Sequence, residues 1–314
     1  MTTLAVVKNG NKEKNVKIRE LFQKNRFSLS FEIFPPKREG NLEPLYRTVG
    51  ELLPCRPSFI SVTYGAGGST RHKTVEISEH IKSELRQEVL AHLTCVESTR
   101  RDIDTILGEL TDRGIENVLA LRGDPPKGEE TFVRPEGGFG YANELVEFIH
   151  GMNRFCIGVA GYPEGHPEAP SLEKDLENLK RKVDAGADFV ITQLFFVNDH
   201  YYRFRDRALG AGIGVPLIPG IFPVFNFGQI ARMTALCGAE IPSRLFEKLD
   251  RISEKPEEVE KYGIDYAIRQ TDDLLENGIP GIHYYSMNRS DHILRIFRSL
   301  SLPERFSGEE KESR

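Results

Sequence analysis

Phe27-Ser28-Leu29-Ser30-Phe31-Glu32-Ile33-Phe34-Pro35-Pro36 is a short apolar run that holds one carboxylate and is stopped by two prolines. Continuous apolar character suits a strand covered on both faces, and proline, which has no N–H to donate, ends a ladder. Similar runs follow at 59–64, 89–94, 118–121, 156–160, 189–196, 217–222 and 281–286. Helical periodicity fills intervals at 99–113, 143–150, 172–185, 201–211 and 262–277, and Gly114, Gly186 and Gly278 stand where helix C-caps are expected. Strands alternating with helices, recurring about every 30 residues, predict an α/β fold, a single (β/α)8 TIM barrel with additional helices. A doubly wound sheet is the runner-up, but Pro35-Pro36-Lys37 occupies the turn where a dinucleotide-binding sheet carries glycines.

A length of 314 residues lies within the range of one barrel, so no second domain is required. The barrel is expected over 27–302, between an N-terminal extension at 1–26 with a short amphipathic helix at 12–21 and a polar tail at 303–314. The wide interval from 222 to 281 is assigned added helices around 229–237 and 242–250 and a charged stretch at 254–261. A net charge of -5, spread along the chain, argues against nucleic acid or an anionic membrane as general partners. Cys55, Cys95, Cys156 and Cys237 are too far apart for a zinc knuckle or a redox motif. Neither a signal peptide nor an apolar span of roughly 20 residues is evident, so a cytoplasmic location with free thiols is expected.

Barrel enzymes place their chemistry where strands end. Glu32 is a carboxylate inside an apolar strand, where burial disfavours its charged form and suits a general acid; the plainer alternative is a Glu paired with an Arg or Lys inside the barrel. The second strand runs into Thr63-Tyr64-Gly65-Ala66-Gly67-Gly68, a turn whose amides can approach a ligand or simply close a loop. His92 alone reads as a satisfied core imidazole. The fourth strand ends in Arg122-Gly123-Asp124, a cation and an anion at the rim, and the fifth leads into Tyr162, His166 and Ala169, a proline-stiffened loop able to hold rings against a planar group. Asp175, Asn178, Arg181 and Lys182 fall at helical spacings; such a face is usually only solvated, but it leads on to Gln193, a polar residue amid apolar neighbours.

Taken in order, SFEIFPPK at 30–37, VTYGAGGS at 62–69, LRGDPP at 121–126, YPEGHPE at 162–168, LKRKVDAGA at 179–187, ITQLFF at 191–196 and IPGIFPV at 218–224 resemble the prokaryotic-type, flavin-dependent 5,10-methylenetetrahydrofolate reductases over 27–300. The resemblance implies FAD over the barrel mouth and a ping-pong reaction in which NAD(P)H, with NADH first, gives way to methylenetetrahydrofolate. It implies that Glu32 donates the proton that opens the five-membered ring and that Asp124 stabilises the cationic intermediate in a dry site. Cofactor contacts carry over to Thr63, Tyr64, Ala66, His92, Arg122, Gly123, Asp124, Ala142, Asn143, Tyr162, His166, Ala169, Asp175, Asn178, Arg181 and Lys182, with Arg181 and Lys182 toward the phosphates. Gln193 would bind either substrate, and Gln229 and Arg289 the folate.

Two positions depart from the best-known bacterial pattern: Asn143 stands where a small hydroxyl residue is frequent, and Met233 where an aromatic stacks a folded nicotinamide nucleotide. A homo-oligomer is expected, and the regulatory C-terminal domain of eukaryotic relatives is not. Two alternatives stay open: a proline-dehydrogenase-like flavin barrel, and an FAD-carrying subunit that draws electrons through an additional protein.

Overall fold

Along β1 (Ser28–Ile33), Leu29, Phe31 and Ile33 alternate with Ser28, Ser30 and Glu32. The apolar set packs into the layer shared with the helices, which leaves the polar set facing the barrel axis, where Ser30 Oγ lies 2.8 Å from His283 Nδ1. The structure is a computed structural model that describes residues 16–24, 27–36, 40–64, 71–126, 128–129 and 131–302. The expected tail at 303–314 and the start of the expected N-terminal helix therefore lie outside the described residues.

Strands β2 (Phe59–Val62), β3 (Val89–Thr94), β4 (Asn117–Leu121), β5 (Cys156–Gly161) and β6 (Phe189–Thr192) follow, all parallel to their neighbours. The run expected as a single seventh strand is two short ones, β7 (Leu217–Ile218) and β8 (Gly220–Ile221), with Pro219 between them. Proline lacks the N–H that a continuous ladder needs, but its carbonyl still accepts from His283 N at 3.0 Å. β7 pairs with β6, and β8 pairs with β9 (Gly281–Tyr285), which returns to β1, so this broken stave closes the barrel. The sixth strand ends at Thr192, short of the expected 196, and residues 193–197 form an irregular connection to a helix that begins at Asn198.

Helices α1 (Ile18–Gln23), α2 (Glu43–Leu52), α3 (Arg71–Ser83), α4 (Arg100–Asp112), α5 (Ala142–Gly151), α6 (Leu172–Asp184) and α7 (Asn198–Gly210) precede the closing stave. α4 begins with a capping box in which Asp102 N donates to Thr99 Oγ1 at 3.2 Å and Thr99 N donates to Asp102 Oδ2 at 2.9 Å. The added helices are α8 (Phe227–Cys237) and α9 (Ser243–Arg251), and the charged stretch at 254–261 is the opening of α10 (Pro256–Glu276). α11 (Ser290–Leu300) completes the outer layer.

The lower barrel is filled by Phe59, Leu90, Leu119, Cys156, Phe189, Ile191 and Ile218, and α1 closes that end with Ile18. Buried Asn117 makes this docking specific: its Oδ1 accepts from Ile18 N at 2.9 Å and its Nδ2 donates to Val16 O at 3.1 Å. The expected N-terminal helix is thus a floor to the barrel, and the site lies at the other end.

Candidate active site

Two residues along from the floor, three inward rows become polar: Phe59 gives way to Ser61, Leu90 to His92, and Gly281 to His283. Glu32 is 6% exposed and faces this layer. Its Oε2 lies 3.4 Å from His92 Nε2 and 3.5 Å from His283 Nε2, so among the described residues its partners are two imidazoles and not the Arg or Lys of the plainer sequence reading. His92 is satisfied by Ser61 Oγ at 2.7 Å, yet it also meets Glu32. Burial pushes the His92 pKa down to about 4, with His283 adding to the shift and Glu32 opposing it, so the ring is neutral near pH 7.

The backbone under Glu32 is held from β9. Ser286 Oγ donates to Glu32 O at 2.5 Å, Asn288 Nδ2 donates to Phe34 O at 2.8 Å, and Phe34 N donates to Asn288 Oδ1 at 2.9 Å. Sequence reading missed Ser30, Ser61, His283, Ser286 and Asn288. For His283 the period-two alternation of Gly281, His283 and Tyr285 was the available signal, but it needs the register to be read.

At the mouth, the Arg122 guanidinium grips Glu168 through two bonds of 2.5 and 2.6 Å and lies 5.0 Å from the Phe132 ring centre. Glu168, another residue missed in the sequence, ties the β4 and β5 loops together. Gly123 has a φ of +88°, and a Cβ there would meet Val96 Cγ1 at 2.9 Å. Beside it, Thr94 Oγ1 is buried without a hydrogen-bond partner. Asp124 stands exposed, which corrects the expectation of a dry carboxylate; its charge still helps burial raise the Tyr162 pKa. Tyr162 and His166 meet edge to face at 4.7 Å, and His166 Nδ1 accepts from Glu168 N at 3.1 Å. Ala169 N donates to His166 O at 2.8 Å, closing that loop. Ala142 and Asn143 form the first turn of α5, whose N-cap Tyr141 supplies no side-chain acceptor.

On α6, Lys182 Nζ donates to Ala160 O at 2.6 Å, and burial pulls its pKa down to about 8 against the opposing pull of Asp175. Asp175 is itself raised by burial, and Asn178 is half-buried beside it on the same face. Arg181 is exposed and is not brought into this group. Gln193 Oε1 accepts from Leu194 N at 2.9 Å, and its amide NH2 has no partner among the described residues. Gln229 sits in the first turn of α8, and Arg289 stands exposed before α11, 3.7 Å from Glu260. Thr63 and Tyr64 are half-buried past β2, and Ala66 lies outside the described residues.

Fold and site together define a (β/α)8 barrel with its ionisable groups gathered at the C-terminal strand ends, the arrangement used by barrel enzymes. The family model for methylenetetrahydrofolate reductase matches residues 17–301. The chain belongs to the methylenetetrahydrofolate reductase family. It is 38% identical over 277 residues to the 5,10-methylenetetrahydrofolate reductase of Escherichia coli, covering 88% of this chain and 92% of that protein. It is 39% identical over 297 residues to methylenetetrahydrofolate reductase (NADH) 1 of Arabidopsis thaliana, covering 91% of this chain and 50% of that protein. The chain thus spans about half the length of the plant relatives it matches. A solved Clostridium thermocellum protein, described as binding two copies of 5-methyl-5,6,7,8-tetrahydrofolic acid, shares the fold with a TM-score of 0.58 at 14% identity, over 90% of this chain and 96% of that one. Among the described residues no helix is long and apolar enough to cross a membrane.

Proposed function

We propose that this chain reduces 5,10-methylenetetrahydrofolate to 5-methyltetrahydrofolate by a ping-pong reaction, with FAD as cofactor and NADH as electron donor. The reading is carried by Glu32, a carboxyl group buried at the end of β1 between two imidazoles, with no Lys or Arg paired to it among the described residues. A carboxyl group so placed can act as a general acid toward a substrate in the barrel mouth.

The donor set suits FAD. Lys182, Arg122 and the uncapped N-terminus of α5 suit an anionic diphosphate, and Asp175 and Asn178 suit hydroxyl groups. Tyr162 and His166 offer ring surface, and the unpaired Thr94 Oγ1 is a polar atom available to a ligand. When bound, FAD supplies a ring system that accepts a hydride from one substrate and releases it to the next. Glu32 gives a proton to the folate as its five-membered ring opens, while Asp124 offsets the positive charge that develops on the substrate. Gln193 presents its amide to whichever substrate occupies the mouth, and Gln229 and Arg289 hold the folate. The donor is NADH because the plant relatives carry that donor in their names.

The visible spectrum of the purified protein tests this reading. Flavin absorption should bleach with anaerobic NADH and recover on addition of methylenetetrahydrofolate. A colourless protein that takes up no FAD, or a bleached flavin that folate fails to restore, would overturn it.

A further inference from the structure

His283 is the least explained group in the polar layer. It is wholly buried, its Nδ1 lies 2.8 Å from Ser30 Oγ, and its Nε2 has no hydrogen-bond partner. A buried ring nitrogen left unpaired is costly, so its direction is informative. It points at Glu32 Oε2, 3.5 Å away, the same oxygen that His92 approaches. Small movements on ligand binding close gaps of this size.

The 2.8 Å contact of Ser30 Oγ with His283 Nδ1 fits either tautomer, with the hydroxyl donating to Nδ1 in one and to Ile282 O at 3.4 Å in the other. The other ring nitrogen separates them, because Nε2 faces a carboxyl oxygen. A hydroxyl donating to Nδ1 places the ring proton on Nε2, facing Glu32. An Nε2–H suits Oε2 whether the carboxyl group is protonated or ionised, whereas a bare Nε2 would suit only the acid.

We propose that His283, fixed by Ser30 as the neutral Nε2–H tautomer, is a positioning residue that holds Glu32 Oε2 as the carbonyl end of the acid and so directs the acid proton to Oε1. Both imidazoles crowd one oxygen, and the proton for the substrate resides on the other. After transfer the same N–H remains on the carboxylate and keeps it in place. This deepens the acid role given to Glu32 and rests on it.

The titratable groups around Glu32 are His283 and Tyr285 on β9 and His92 on β3, and the Tyr285 hydroxyl is committed to Thr192 O at 2.7 Å. An N–H donor favours the carboxylate over the acid. Its loss therefore raises the proton affinity of Glu32 and moves the alkaline fall of folate reduction to higher pH.

The test uses the FAD-loaded full chain with isotope-labelled histidine. Nitrogen–proton correlation spectra should give the Nε2–H tautomer for His283 across the neutral range, and Ser30→Ala should shift it toward Nδ1–H. In the folate half-reaction, His283→Leu should lower kcat about tenfold at little-changed KM and shift the alkaline limb upward. His283→Gln, which keeps an N–H near the same place, should restore most of the rate. An Nδ1–H tautomer in the parent protein overturns the proposal, as do identical rates and pH profiles for the Leu and Gln variants while Glu32→Gln is inactive. If the Leu variant does not load flavin, the parent and Ser30→Ala spectra decide. Folate reduction retained in Glu32→Gln would instead remove the acid role itself.

Discussion

At the floor of the barrel Phe59, Leu90, Leu119 and Phe189 close around Ile18, while further along the same staves Ser61, His92, Arg122 and Gln193 stand in their place. Ser61 and His92 hang from the same ladder as Phe59 and Leu90, and Arg122 and Gln193 follow directly on β4 and β6, so the backbone alone does not separate the two sets. The difference lies in what each set leaves open: among the described residues the floor end has the lone unpartnered hydroxyl of Ser28, whereas the rim holds an unpartnered Thr94 hydroxyl, an unpaired His283 nitrogen and the desolvated Lys182 ammonium. Stability is concentrated at one end and unsatisfied chemistry at the other, a division that barrels allow because their loops tolerate strain that the core does not.

Substitution at each end can break that division. Glu32→Gln at the rim should slow folate reduction about a thousandfold while flavin binding and NADH oxidation persist, as read by stopped-flow half-reactions. Loss of both half-reactions together would make Glu32 a structural residue. Phe189→Ala at the floor should cost about 4 kcal/mol in denaturant unfolding yet leave turnover per bound flavin intact. A proportionate fall in turnover would show that the two ends are coupled.

The pH dependence of folding separates them in another way. Folded His92 has a pKa of about 4 against 6.5 for the free side chain, so between these values the unfolded chain binds more protons and stability falls as pH drops. His92→Gln should flatten the apoprotein stability profile in that window by about 3 kcal/mol relative to the parent. Parallel profiles would mean that His92 is not desolvated in solution. Asp124→Asn should slow the folate step about tenfold with FAD retained, and an unaltered rate would take this exposed carboxylate out of the chemistry. Lys182→Ala should weaken FAD retention by up to about tenfold in titration of the apoprotein, and unchanged affinity would leave Lys182 a structural residue.

The barrel was legible because both faces of its strands are covered, which writes apolar runs into the chain, and β3 was read to the residue at 89–94. The seventh run looked whole because Pro219 sits amid Leu217, Ile218 and Ile221, and only pairing shows that proline there divides a stave between two neighbours. At the site, Glu32, Thr63, Arg122 and Gln193 lie at or just past strand ends, but the directions of the motif residues were not readable. Arg181 and Lys182 are adjacent, hence about 100° apart around α6, so one is half-buried and the other exposed. Asp124 follows a strand whose end already faces solvent. His283 and Ser30 are 253 positions apart, and no local pattern could pair them.

The register of β1 on β9, from Ser28 beside Gly281 to Glu32 beside Tyr285, carries a consequence for biosynthesis. β1 is synthesised long before β9 and must wait for all the chain between them before this neighbour arrives. Until then Glu32 lacks His283 and Ser286, which approach its carboxyl group and its carbonyl from that side. Assembly of the polar layer around Glu32 is therefore a late, long-range event in folding rather than a local one.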